Sequence, residues 1–275
     1  MDWEEIQMVM TNFLQERKSV REYKDQDLSA KDLERVQNIV DRGNTNCKAA
    51  GISFNFFQNG QVVYDRLQGK AGYSGVMIKA PHYVSMTIAG REDKDQLKTG
   101  YTLEQINTDL VDLGLGTCWI TLDHVDPQVK QEAFGTDGKE IDYIIALGYP
   151  RKKKLFEPEK HSARMEVREF VFENDFDTPA SPDTLDQLGL FDVFSSVRYA
   201  PSHKNVQPWR FVLEGSQVKL YMVTGKEDNR SLVDCGLMMF YFQEMMKTLG
   251  TQKEWVIEDG FSMEGNYLYL GSYSL

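Results

Sequence analysis

The sequence predicts an α+β protein made of two pseudo-symmetric copies, residues 1–173 and 174–275, each a long central helix with strands around it. Three observations carry this expectation. "GREDKDQLKTG" from Gly90 to Gly100 resembles "GKEDNRSLVDCG" from Gly225 to Gly236, and a constant offset of 136 residues then maps Gly100 to Gly236, Leu113 to Leu249, Gly114 to Gly250 and Trp119 to Trp255. Both copies also close on strand-like runs that reach Leu-Gly, "YIIALGYP" from Tyr143 and "YLYLGSY" from Tyr267. Upstream, "FFQNGQVVY" from Phe56 and "VLEGSQVKLY" from Val212 each read as a turn feeding an apolar strand.

Composition bounds the class. With 41% apolar and 12% aromatic residues, 275 residues suffice for one large core or two ordinary ones. Thirty-one Lys and Arg against 42 Asp and Glu give a net charge of −11, which argues against nucleic acid or an anionic membrane surface as a partner. Cys47, Cys118 and Cys235 form no CxxC pair and are odd in number, as a reducing compartment permits. The start, "MDWEEIQMVMTNFLQERK", is acidic and patterned as an amphipathic helix, unlike a secretion signal. No run approaches the ~18 apolar residues of a membrane span, so a cytoplasmic protein is expected.

The elements follow in order. Ser29 in "DLSAKDLERVQNIV" caps a helix bearing Leu33, Val36, Ile39 and Val40. "HYVSMTIAG" is a strand. Thr102 and Gln105 read as a capping box opening the first long helix, with Leu103, Ile106, Leu110 and Leu113 on one face and Gly114 as its stop. "FENDFDTPASPDTLDQ" reads as a linker between the copies, and "VKLYMVTG" as a strand. "SLVDCGLMMFYFQEMMKTLG" is apolar nearly all round, which suits a central helix buried on most sides, its methionines filling core.

Two stretches could carry chemistry. "ERKSVREY" places Arg17, Lys18, Ser19 and Arg21 within five residues, donors suited to a phosphate, although a solvated basic turn explains the same letters. "APSHKNVQPWRF" from Ala200 combines Pro201 and Pro208, which fix φ, with the polar arms of Ser202, Asn205 and Gln207. This stiff hydrogen-bonding edge would fit a flat heterocycle, or it could simply be a rigid corner delivering the next strand. No GxGxxG follows a strand, and His82, His124 and His161 are too scattered to suggest a metal set.

Together "RKSVREY", "APSHKNVQPWRF", "LEQINTDLVDLGLGTCWI" and "YIIALGYP" resemble the nitroreductase family, in its R-x-S-x-R start, proline loop, G-L-G-x-x-W helix end and L-G-Y-P strand. The resemblance implies an antiparallel sheet packed with helices and a flavin mononucleotide (FMN) cofactor. In the family the proline loop follows the first motif by roughly thirty residues; here "VDRGNTNCKAAG", residues 40 to 51, occupies that place and the loop comes after residue 200. One chain therefore resembles a whole family dimer, a monomer with its partner built in. Carried over residue by residue, Arg17, Lys18, Ser19 and Arg21 would hold phosphate and ribityl chain, with Arg164, or less well Lys160, returning to the phosphate. Pro201, Ser202, Asn205 and Gln207 would face the ring, and backbone N–H groups from Thr117 to Thr121 would lie by its reactive edge. The resemblance implies electron transfer from NAD(P)H to a nitroaromatic or quinone-like acceptor by a ping-pong route, with no catalytic side chain named and no metal. A flavin-free or flavin-binding protein that senses or scaffolds is the alternative.

Overall fold

The structure, a computed structural model, describes residue 14 and residues 18–72, 75–151, 163–225 and 230–275, the side chain of Arg230 excepted. Arg17, Lys160 and, apart from Leu14, the helix expected at the N-terminus lie outside the described residues. The chain divides into two compact units, one comprising Lys18–Arg91 and Leu103–Pro158, the other Met1–Arg17, Glu92–Thr102 and Glu159–Leu275.

In the first unit, helix α1 (Ala30–Cys47) starts where Ser29 accepts the Asp32 N–H at 3.2 Å, as the capping pattern predicts, and it buries Val36, Ile39 and Val40. Strands β1 (Ile52–Phe57), β2 (His82–Ile88), β3 (Gly116–Thr121) and β4 (Tyr143–Gly148) form an antiparallel sheet in the order β1-β2-β4-β3. The run "QVVY" after Asn59 is not a strand but the start of helix α2 (Gly60–Leu67). Val63 and Leu67, four residues apart, share its buried face, and Gln61 donates to Asp65 one turn on at 2.6 Å. Helix α2 packs with helix α4 (Pro127–Phe134) over a core containing Tyr83, Ile120 and Ile144. Asn44 of α1 seals edge strand β1, accepting from Phe54 N–H at 2.7 Å and donating to its carbonyl at 3.0 Å.

The first long helix, α3 (Asp93–Asp112), starts well before the capping box expected at Thr102, which is 7% exposed inside the helix. Asp93 and Asp95 supply the favourable N-terminal charge instead. The expected stop holds: Gly114 has φ +78° and its N–H returns to Val111 at 2.8 Å.

The second unit carries helices α5 (Val167–Phe170), α6 (Pro182–Gln187), α7 (Phe191–Val197) and α8 (Arg230–Thr248), with strands β5 (Val171–Glu173), β6 (Trp209–Glu214), β7 (Gln217–Val223), β8 (Val256–Glu264) and β9 (Tyr267–Ser274). The expected linker is folded: it contains most of β5, which pairs parallel with β6, and α6, capped by Ser181 at 3.1 Å. Its polar letters are cap and turn residues. The sheet order is β5-β6-β7-β9-β8, so apart from β5 it repeats the 1-2-4-3 order of the first unit, with a long helix again between the second and third strands of the sequence. Helix α8 is buried nearly all round, as its composition predicts. Phe242 alone meets Phe194, Phe211 and Trp255 with ring centroids 5.3–5.6 Å apart.

Within this unit α8 crosses the start of α3 at two glycines. A Cβ on Gly100 would stand 1.8 Å from the Val233 carbonyl oxygen, and one on Gly236 would stand 1.9 Å from that of Leu97. Val233 follows Leu97 by the same 136 residues that separate the glycines, so one contact is read in both directions. Gly100→Ala or Gly236→Ala is expected to destabilise by about 3 kcal/mol or more, because overpacking against backbone has no rotamer to relieve it. Gly260→Ala, in open space, should stay within about 0.5 kcal/mol; thermal melts of the three variants check this.

His82 pins the turn before α1. It is 1% exposed, its Nδ1 lies 2.7 Å from the Gln58 carbonyl, and its Nε2 accepts the Leu28 N–H at 3.1 Å. Nδ1 therefore carries the hydrogen and the ring is neutral, with burial holding its pKa below the ordinary value. The unfolded chain takes the proton first, so this stabilisation is present above about pH 6.5 and is lost as pH falls toward the folded pKa. Denaturant titrations should show stability falling below about pH 6.5, and His82→Asn should flatten that slope.

Candidate functional site

The basic segment is held as an added strand-like edge. Val20 N–H donates to the Thr117 carbonyl at 2.8 Å, Ser19 bridges Thr117, and Tyr23 bridges Pro150. Gly116 makes this possible, since a Cβ there would stand 2.8 Å from Val20 Cγ1. The Tyr23 hydroxyl donates to Val20 and Ala146 carbonyls at 2.7 and 3.1 Å, and burial raises its pKa far above the ordinary phenol, so it stays a donor. Lys24 N–H and Arg151 N–H continue the tie, to Tyr149 and Glu22 carbonyls at 2.9 and 3.0 Å. Three stretches far apart in sequence, "KSVREY" from Lys18, "GLGTCW" and "LGYP", thus lie side by side, with Lys18, Ser19 and Arg21 exposed. A rigid backbone presenting a hydroxyl and a guanidinium to solvent fits a phosphate group. Thr117 is buried in β3, and at the strand's other end the Thr121 carbonyl accepts the Gly72 N–H at 3.4 Å.

The proline loop is strained and tied. Lys204, Asn205 and Gln207 have φ of 50°, 59° and 50°, three left-handed non-glycine residues within four positions. Such residues cost on the order of 1 kcal/mol each and persist only where surroundings determine them. Ser202 supplies two ties, its hydroxyl accepting Gln207 N–H at 2.9 Å and its carbonyl accepting Asn205 N–H at 3.0 Å. The neighbouring stretch supplies others: Asn205 donates to the Ala163 carbonyl at 2.8 Å and Met165 N–H donates to Gln207 Oε1 at 3.0 Å. Arg164, expected at a phosphate, donates to Asn205 Oδ1 and, at 3.4 Å, to the Tyr199 carbonyl. Pro201 is half-buried beside them, and Trp209 is fully buried in the core. Arg210 folds back onto the Gln207 and Trp209 carbonyls at 3.2 and 2.6 Å, its pKa lowered chiefly by burial.

The structure therefore gathers the candidates into two sets: Lys18, Ser19, Arg21, Thr117 and Thr121 in one unit, and Arg164, Pro201, Ser202, Asn205 and Gln207 in the other. The amides of Asn205 and Gln207 are engaged largely with their own chain, a loop-holding role that the letters alone do not disclose. One residue escaped the sequence reading. Asp234 of α8 accepts the His203 N–H with both carboxylate oxygens, at 3.1 and 3.0 Å. Its signal was an acid inside an otherwise apolar helical run.

A protein-family model described as "Putative TM nitroreductase" matches residues 10–246. The chain belongs to the nitroreductase family. Among solved structures, a protein from Thermotoga maritima described as a "putative nitroreductase" is 18% identical, with 97% of this chain and 93% of that chain covered and a TM-score of 0.56, which shows a shared fold. A nitroreductase with bound FMN from Bacteroides fragilis, also 18% identical, covers 56% of this chain and 95% of its own at a TM-score of 0.43. An FMN-dependent nitroreductase from Clostridium difficile is 20% identical over 52% of this chain and 88% of that one, with a TM-score of 0.43. No curated protein matches the chain.

For this nitroreductase-family chain, Gln207→Ala should cost about 1–3 kcal/mol, since it leaves the Met165 N–H without its acceptor and frees a strained loop. Chemical denaturation of the purified variant measures this.

Proposed function

We propose that this family member is an FMN-dependent oxidoreductase that takes electrons from NAD(P)H and passes them to a nitroaromatic or quinone-like acceptor. One observation supports the reading: residues 18–24 are hydrogen-bonded alongside Thr117 and the L-G-Y-P strand end, so that Lys18, Ser19 and Arg21 are presented together on one edge. In this reading Arg17, Lys18, Ser19 and Arg21 hold the phosphate and ribityl chain, and Arg164 returns to the phosphate. Pro201, Ser202, Asn205 and Gln207 form the edge facing the ring, while backbone N–H groups between Thr117 and Thr121 favour negative charge there. Bound FMN would supply two-electron chemistry, accepting hydride and passing it on. The chain's part is to hold, orient and keep water from that ring.

The repeated strand order and the two-way glycine contact support a further part of the proposal. In this proposal the chain is a duplication, with copies at 1–173 and 174–275, and the family resemblance and composition extend it to a monomer in the cytoplasm. A second reading, a flavin-free binding or sensing protein, draws on the amides of Asn205 and Gln207 being spent within the chain.

The purified protein is expected to be yellow, to bleach anaerobically with NADH or NADPH, and to recover its colour on adding a nitroaromatic. A colourless protein that retains no flavin absorbance after incubation with FMN and removal of the unbound flavin favours the second reading. Arg21→Ala should weaken FMN binding about tenfold, the effect of one charge-assisted hydrogen bond partly screened by solvent. Fluorescence titration reads that change, and parental affinity would place the phosphate elsewhere.

A further inference from the structure

Asp234 is the one charged residue between Leu232 and Phe242, a stretch buried almost throughout. It is itself only 8% exposed. A carboxylate in such surroundings gives up hydration, and an apolar side chain of similar size would pack at lower cost. Its visible return is specific. Both oxygens accept the backbone N–H of His203, at 3.1 and 3.0 Å, and His203 opens the short turn in which Lys204 and Asn205 adopt left-handed backbone. The ties made by Ser202, Asn205 and Gln207 run within the loop or to residues 163–165. The tie at His203 runs instead to α8. That helix cannot slide, because Gly236, two residues beyond Asp234, sits backbone to backbone against Leu97.

We infer that Asp234 is a positioning residue: anchored by the glycine crossing, it sets the conformation of the loop 202–207 in which Asn205 and Gln207 are presented to the cofactor. The inference rests on the FMN reading for its functional half. Its structural half stands on the His203 contact alone. Asp234 acts on the loop through the His203 amide rather than on the cofactor directly.

The test compares full-length parent, Asp234→Ala and Asp234→Asn by hydrogen exchange and by FMN fluorescence titration. In Asp234→Ala the amides of His203, Asn205 and Gln207 should exchange at least tenfold faster, with those of β6 and the centre of α8 at parental rates, and FMN should bind about tenfold more weakly. Asp234→Asn keeps one acceptor oxygen without the charge and should restore most of both effects. If Asp234→Ala loosens the whole unit, the Asn variant decides: loop exchange and FMN affinity close to parental support positioning by the acceptor, and equal loss in both overturns it. Unchanged loop exchange in Asp234→Ala overturns the inference, and so does a loosened loop with parental FMN affinity. A parent that binds no FMN defeats the functional reading and this inference's functional half together, while the exchange data still judge the contact.

Discussion

The approach of α3 and α8 at Gly100 and Gly236 is the constraint on which the second unit depends. Helices normally meet through side chains 8–10 Å apart between axes, and here the missing Cβ atoms let backbone meet backbone. A contact of that kind tolerates neither rotation nor translation of either helix. It fixes which residues of α8 turn into the aromatic core around Phe242 and which meet the proline loop. Leu97 and Val233 supply the facing carbonyls, so the same geometry is stated twice in the sequence at one interval. A change on either side disturbs both.

The first unit is organised by a related economy. Gly116 yields space to Val20, and Gly148, where a Cβ would stand 2.5 Å from Pro81 Cγ, yields space to Pro81. The glycines of "GLGTCW" and "LGYP" are thus the places where other segments come close. Tyr23, held protonated by burial, closes the gap between them. The cations that follow from this arrangement face solvent in a protein whose net charge is −11, so they form a local exception that an anion would find.

Much of the fold was legible. Ser29 before an apolar-periodic run, Gly114 and Gly250 after the long helices, and the buried strand runs at Tyr143 and Val218 are local signals, and local signals survive into the structure. Three readings went astray where context overrode them. The capping pattern at Thr102 lies inside α3 because Asp93 and Asp95 begin the helix earlier and Gly100, a poor helix residue, is retained for the crossing. "QVVY" after Asn59 became helical because Val63 and Leu67 had a core to enter on one face. The polar stretch after Phe172 folded because its Ser, Pro and Asp residues cap and turn rather than link.

What the sequence determined by itself was the set of parts: the two long helices, the strand runs, the basic segment, the stiff proline loop and the interval of 136 residues. These are readable because capping, periodicity and turn chemistry act over a few residues. Only the tertiary structure decided that Ser19 would lie against Thr117, that Arg164 would grip Asn205, and that an acid in an apolar helix would hold the His203 amide. Those contacts join residues 31 to 98 positions apart, and no local preference encodes them. They follow from where packing carries each element, and packing is a property of the whole chain.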